Sequence, residues 1–287
     1  MQKAGIVPEE TDKLVVMKTE NPLGQATTYP DQYSPELLYA IARTKGRKAL
    51  GLDTDLPFHG MDFWNAWDLS WLDRNGVPQV ATASIRVPAY SVNIVESKSL
   101  KLYLGSFAMS RHAAFRDVAA VIGNDLTACV GTDVYVAVHA PASPMQACIG
   151  QLPGESIDTV RATCDRYEVT PELLSADDSE LVAEDLHSDL LRSLCPVTGQ
   201  PDIGSVMISY RGPRIDRAGL LGYVVSYRQH QDFHENCVER MFLDIRDRCG
   251  AEQLTVYARY QRRGGIDINP FRSNFEATAP NTRLWRQ

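Results

Sequence analysis

The sequence predicts an α+β fold built from two tandem halves, and three observations carry that expectation. Partial alternation of apolar and polar residues marks strands, apolar residues at 3.6-residue spacing mark helices, and a strand–helix–helix–strand order in the first half returns in the second. The composition, 44% hydrophobic and 23% charged over 287 residues, is that of a folded chain long enough for one large domain or two ordinary ones.

In chain order, residues 1–50 are rich in Pro, Thr, Asp and Gly with weak periodicity, which predicts an irregular N-terminal arm. Residues 51–150 form the expected first half, with a strand at Gln79–Val87, helices at Leu100–Phe107 and Phe115–Cys129, and a strand at Val134–Val138. Pro, Ser and Gly concentrate over Pro141–Asp158, which reads as the boundary. Residues 151–287 form the second half, with a strand at Val206–Tyr210, helices at Arg217–Tyr227 and Phe233–Cys249, and a strand at Leu254–Tyr260. A shift of 120 residues carries Phe107 onto Tyr227, Val118 onto Val238, Ile122 onto Phe242 and Cys129 onto Cys249 without a gap. The acidic run Ser175–Glu180 reads as a solvated connection or a helix start.

A net charge of −7, with both signs mixed along the chain, offers no basic field for nucleic acid, although a local cluster of donors could still hold a small anion. The six cysteines form no Cys-x-x-Cys pair and the first residues lack an apolar signal-peptide core, so a reduced, cytoplasmic protein is expected. Apolar stretches such as Gly219–Tyr227 fall far short of the ~20 residues that span a bilayer, so no membrane role is expected.

The loop Cys195–Gly204 sets a thiol and a carboxyl, Asp202, seven residues apart across two prolines and a glycine. A thiolate is a strong nucleophile, and a carboxyl beside it can take its proton or protonate what it attacks. The bland alternatives are a small buried Cys195 and an Asp202 that serves a turn. His234 and Glu235 open a helix with Val238, Met241, Phe242, Ile245 and Cys249 on one face. Asp232 could cap it, with Glu235 closing a capping box; alternatively the imidazole and carboxylate could hydrogen-bond a heterocycle. His230, His234 and Cys237 lack the spacing of a zinc motif, and no metal is expected. Ser97 and Lys98 at a helix start could meet a phosphate through free backbone N–H groups, as could Arg262-Arg263-Gly264-Gly265, which otherwise reads as a hairpin turn. No Gly-x-Gly-x-x-Gly or Gly-x-x-x-x-Gly-Lys motif is present, so any dinucleotide binds outside the Rossmann mode.

Together these segments resemble the nitrile reductases of queuosine biosynthesis, the NADPH-dependent 7-cyano-7-deazaguanine reductases. Glu96-Ser97-Lys98-Ser99-Leu100-Lys101-Leu102-Tyr103 fits the family's signature without a mismatch, and Leu56–Gly60, the Cys195 loop, His234–Arg240 and Tyr257–Pro270 resemble its long form. The resemblance implies a tunnelling fold, with a ferredoxin-like β-β-α-α-β-β unit in each half and chains that form a homodimer in a barrel-like assembly. It implies that Cys195 adds to the nitrile carbon as a covalent thioimide and that Asp202 donates the proton, with help from His234. It further implies that Val95, Glu96, Ser97, His234 and Glu235 hold the deazaguanine, and that Ser97, Lys98, Arg263 and Gly264 hold NADPH. A zinc-dependent pterin or purine hydrolase resembling the GTP cyclohydrolases, which share the fold, is the alternative.

Overall fold

Thirteen strands and five helices make up the described residues, 29–141 and 148–287, of the computed structural model. In the first half these are β1 (Ala40–Ala42), α1 (Arg43–Ala49), β2 (His59–Leu72), β3 (Pro78–Pro88), β4 (Asn93–Val95), α2 (Ser97–Gly105), α3 (Phe115–Val130) and β5 (Tyr135–His139). The second half holds β6 (Ile149–Gly150), β7 (Glu155–Ser156), β8 (Ala176–Ser188), β9 (Arg192–Leu194), β10 (Pro201–Ile215), α4 (Arg217–Ser226), α5 (His234–Cys249), β11 (Gln253–Tyr260), β12 (Ile266–Ser273) and β13 (Arg283–Leu284). The result is a mixed α+β fold.

Strands of both halves share one nine-stranded sheet in the order β5-β3-β2-β12-β11-β10-β8-β7, with β9 paired to β10. The halves meet where β12 runs antiparallel to β2, from Ile266 opposite Ala66 to Ser273 opposite His59. All four longer helices pack on one face. Trp64, Leu100, Tyr103, Phe107, Ile122 and Leu126 form the core beneath α2 and α3, and Ile208, Leu220, Tyr223, Tyr227, Phe242 and Val256 form the core beneath α4 and α5. Phe63, Met207, Tyr257 and Phe271 form a smaller cluster.

The 120-residue shift is visible in three dimensions. It carries α2 onto 217–225 and α3 onto 235–250, within a residue of α4 and α5. Glu96 caps α2 by accepting from Ser99 N–H, and Asp216 caps α4 by accepting from Gly219 N–H. Tyr103 donates to Asp125 at 2.5 Å and packs edge-on against Phe107; Tyr223 donates to Asp244 at 2.6 Å and packs edge-on against Tyr227.

Several expectations need correction. Residues 1–28 of the expected arm lie outside the described residues, but 35–49 are not irregular: a 3-10 turn, β1 and α1 form there, because Arg43 and Arg47 find buried carboxylates. The acidic run Ser175–Glu180 leads into β8 rather than a loop or helix. Pairing with β10 and ion pairs from Glu180 and Glu184 to Arg214 hold it extended. The sequence reading also lacks β2 and β12, both buried at the seam between the halves. Part of the boundary expected at Pro141–Asp158 lies outside the described residues.

Beneath the seam runs a chain of buried ions. Arg272 reaches Asp62 at 2.7 Å and Glu239 at 2.9 Å, Arg43 reaches Asp62 at 2.5 Å, and Arg47 reaches Glu239 at 2.7 Å. Burial works against the two carboxylates' charge, but the neighbouring guanidiniums outweigh it and hold both below their ordinary values. Removing one partner of such a set strands the others in a low-dielectric interior. Glu239→Ala should therefore lower stability by about 3–5 kcal/mol, read from urea denaturation midpoints, because Arg47 and Arg272 both lose their acceptor.

Candidate active site

The β9–β10 hairpin carries Cys195 at its tip. Leu194 pairs with Pro201 and Ser193 with Asp202, so Cys195–Gln200 form the tip. Within it Cys195 N–H donates to the Gln200 carbonyl and Gly199 N–H to the Cys195 carbonyl, both at 2.9 Å, with Gly199 at φ 67°. Leu194 N–H bonds the His230 carbonyl at 2.8 Å and Asp232 N–H bonds the Leu194 carbonyl at 3.2 Å, which fastens the hairpin beside the start of α5.

From the other half, β4 delivers Val95 and Glu96. Ala40 of β1 pairs with Val95, and Glu96 N–H donates to the Tyr39 carbonyl at 2.8 Å. Between these walls lies a cavity of about 460 Å³, of the size that takes a small ligand. Val95, Glu96, Ser97, Lys98, Cys195, Asp202, His234, Glu235, Arg263 and Gly264 all line it, so the fold brings together every site residue expected from sequence.

Asp202, 3% exposed, is gripped from two sides: Arg263 Nε lies 3.1 Å from Oδ1 and His234 Nε2 lies 3.2 Å from Oδ2. His234 is held flat against Tyr260, the ring centroids 3.8 Å apart and the planes 4° from parallel. Burial pushes the half-buried Cys195 thiol up, but hydrogen bonds from the Thr198 hydroxyl, the Thr198 and Val197 N–H groups and Arg263 outweigh it and hold the thiol below its ordinary value. Arg263 thus touches both the thiol and the carboxylate.

Glu235 is 2% exposed. Burial first, and then the charge of Asp62, push its carboxyl up to about 7, while Arg43 and Arg272 pull it down. The capping box expected at this helix does not form. Phe233 occupies the cap position without a side-chain bond, and Asp232 instead accepts from Phe233 N–H and Asn236 at 2.7 Å each, so Glu235 is not spent on the helix end.

A second difference concerns α2. The sequence reading gave its backbone N–H groups to a phosphate, but the Glu96 carboxylate already accepts from Lys98 N–H at 2.8 Å and Ser99 N–H at 2.7 Å. Its long side chain folds back onto its own helix.

Lys101 also lines the cavity, and the sequence reading did not assign it to the site. Burial and the nearby Arg263 push its ammonium down, against the pull of Glu96, Asp202 and Cys195. Its spacing was a usable signal: three residues past Lys98 in one helix is the same face. The imagined metal trio does not assemble. His230 packs edge-on against Tyr227 and Cys237 is buried in the second core, and no group of three His, Cys, Asp or Glu is placed to hold a metal ion among the described residues.

A hydrogen-bonded thiol, a clamped carboxylate and an imidazole share one cavity, the arrangement expected of the class of enzyme that adds a thiolate to an electrophile beside a proton donor. Comparison with known proteins gives the family. Residues 29–138 match the model "Nitrile reductase, 7-cyano-7-deazaguanine-reductase N-term" and residues 201–279 match "QueF-like protein". Proteins named "NADPH-dependent 7-cyano-7-deazaguanine reductase" are similar over nearly the whole chain. That of Bordetella avium is 51% identical over 262 residues, covering 91% of this chain and 96% of its own. Those of Burkholderia multivorans and Dechloromonas aromatica are each 52% identical over 269 residues, covering 93% of this chain and 98% and 95% of their own. The chain belongs to the nitrile reductase family of NADPH-dependent 7-cyano-7-deazaguanine reductases.

The bonds around Cys195 make a direct prediction. Thr198→Val removes the hydroxyl donor, so the pH midpoint of Cys195 alkylation by iodoacetamide should move upward and the rate at neutral pH should fall; an unchanged midpoint would show that Thr198 does not stabilise the thiolate.

Proposed function

We propose that this protein reduces the nitrile of 7-cyano-7-deazaguanine to the primary amine of 7-aminomethyl-7-deazaguanine with NADPH, through a thioimide on Cys195, in the pathway to queuosine. The observation that carries the reading is the pairing of an acidified thiol with a clamped Asp202 on one hairpin, facing the Glu96 and Glu235 walls of one cavity. Relatives of about half identity over nearly their full length bear the same activity in their names.

Glu235, His234, Val95, Glu96 and Ser97 hold the base. An ionised Glu235 accepts two N–H bonds from a guanine-like edge and thereby turns the nitrile toward the thiol. The Cys195 sulfur adds to the nitrile carbon, and its proton passes to the Asp202–His234 pair. From there it returns to the nitrile nitrogen, which leaves a C=N bond able to accept hydride. Positioned proton transfer of this kind contributes roughly 10²–10⁴ in rate.

The residues fit NADPH. Arg263 Nη1 is buried without a hydrogen-bond partner among the described residues, and Lys98, Lys101 and Arg262 line the same cavity. Gly264 has φ 57° and a Cβ there would stand 3.1 Å from Lys101 Cδ, so glycine leaves the backbone open to close approach. Ser97, Lys98, Arg263 and Gly264 would hold the cofactor, with the guanidinium suited to its phosphates. Going from nitrile to amine takes four electrons, delivered as the two hydrides that two molecules of NADPH supply when bound.

The two halves, 51–150 and 151–287, form a pair of tunnelling-fold units, and the chain assembles as a homodimer in a barrel-like array. The setting is cytoplasmic; no described helix is long and apolar enough to cross a membrane. A zinc hydrolase of GTP cyclohydrolase type finds no ligand group among the described residues.

Adding the nitrile to enzyme and NADPH should discharge the absorbance of the reduced nicotinamide, two equivalents per amine formed, and intact-mass analysis should find the substrate's mass on Cys195. Cys195→Ala should abolish both signals. Asp202→Asn should keep the adduct and lose most of the turnover; full turnover in that variant removes Asp202 as proton donor.

A further inference from the structure

Glu235 is buried within electrostatic reach of the ion chain of the seam. Arg43 and Arg47 come from α1, Asp62 from β2, Arg272 from β12 and Glu239 from α5, one turn beyond Glu235. All five are at most 8% exposed. Each carboxylate is saturated: Asp62 takes Arg43 on Oδ2 and Arg272 on Oδ1, while Glu239 takes Arg272 on Oε1 and Arg47 on both oxygens. Three guanidiniums against two carboxylates leave one positive charge in excess, in an interior where an unbalanced charge is costly. An ionised Glu235 brings the sum to zero.

The groups that face Glu235 support this bookkeeping of charge. Asp62, Arg43 and Arg272 approach it from β2, α1 and β12, with the carboxylate opposing its ionisation and the two arginines favouring it. Its own helix adds His234, Cys237 and Glu239, and Glu96 lines the cavity with it.

We propose that this five-residue chain is a positioning device for base recognition: its surplus positive charge offsets part of the cost of burying Glu235 as an acceptor-only carboxylate, the form that can take two N–H bonds from a guanine-like edge. The inference rests on the reading of Glu235 as a base-binding residue. A protonated Glu235 would turn an O–H donor toward N–H donors and lose one of the two bonds. Arg43 and Arg47 lie in the segment that the sequence marks as an irregular arm, and no residue of α1 lines the cavity, so α1 would act on base recognition from behind it.

The test is equilibrium binding of 7-cyano-7-deazaguanine to the full chain carrying Cys195→Ala, which removes the covalent step, from about pH 5.5 to 8.5. The parent should lose affinity as pH falls through about 7, the range in which Glu235 titrates. Adding Arg43→Gln removes a positive charge, raises the midpoint and weakens binding at neutral pH by up to about tenfold per unit of midpoint shift, with recovery at higher pH. Asp62→Asn removes a negative charge and should move the midpoint the opposite way, while Arg43→Lys keeps the charge and should leave it in place. Opposite shifts uphold the proposal. Uniform weakening at every pH, or midpoints that stay fixed, overturns it and leaves the chain a purely structural one. Thermal melting is recorded for each variant; if Arg43→Gln fails to fold, the direction of the Asp62→Asn shift decides. Glu235→Gln separates the two readings: unchanged affinity there removes Glu235 from base binding altogether, whereas lost affinity with no shift from the chain variants overturns only the positioning role.

Discussion

The pairing of β12 with β2 is the constraint on which the site depends. It joins the two halves into one sheet, and Arg272, fully buried on β12, binds Asp62 on β2 and Glu239 on α5 at once. Cys195 comes from the β9–β10 hairpin of one half and the Glu96 wall from the β4–α2 junction of the other. Neither half alone closes the cavity. The register of two central strands therefore fixes how the Cys195 thiol sits relative to the Glu96 wall, and a one-residue slip would turn Asp62 to the other face.

Within the site, hydrogen bonding wins over burial at the thiol. A buried sulfur resists ionisation, but donors from Thr198, Val197 and Arg263 are already aimed at it by the hairpin's own geometry. Asp202 is fixed between Arg263 and His234, and His234 is fixed in turn by the flat face of Tyr260. Groups locked before the ligand arrives need not be reorganised during reaction, which is where preorganised sites gain most of their advantage.

The correspondence between the two halves breaks down at the candidate site. The capping carboxylates Glu96 and Asp216, the buried tyrosines and the αL glycines Gly131 and Gly250 recur in both halves because they serve the fold. The candidate site residues of the second half do not recur in the first. A shift of 120 residues takes Cys195 to Asn75, Asp202 to Thr82 and Glu235 to Phe115. One half carries Cys195, Asp202 and His234, and the other carries the Ser97 and Lys98 edge of the cavity.

The sequence by itself determined the paired helices, the strands β3, β5, β10 and β11, and ten of the residues that line the cavity but not Lys101, because amphipathic spacing and short motifs are local signals. The seam was not legible. In β2 the central residues are buried on both faces, so alternation vanishes; β12 carries Pro270 and a run of buried polar residues; and β8 is acidic and largely exposed. Each is a strand only because a neighbour supplies its hydrogen bonds. Tertiary structure likewise decided that Arg43 and Arg47 of α1 join the buried ion chain, that Glu96 caps its own helix and that Glu235 does not. Those outcomes turn on which charges meet in the interior, and burial is a property of the whole fold that no stretch of sequence carries.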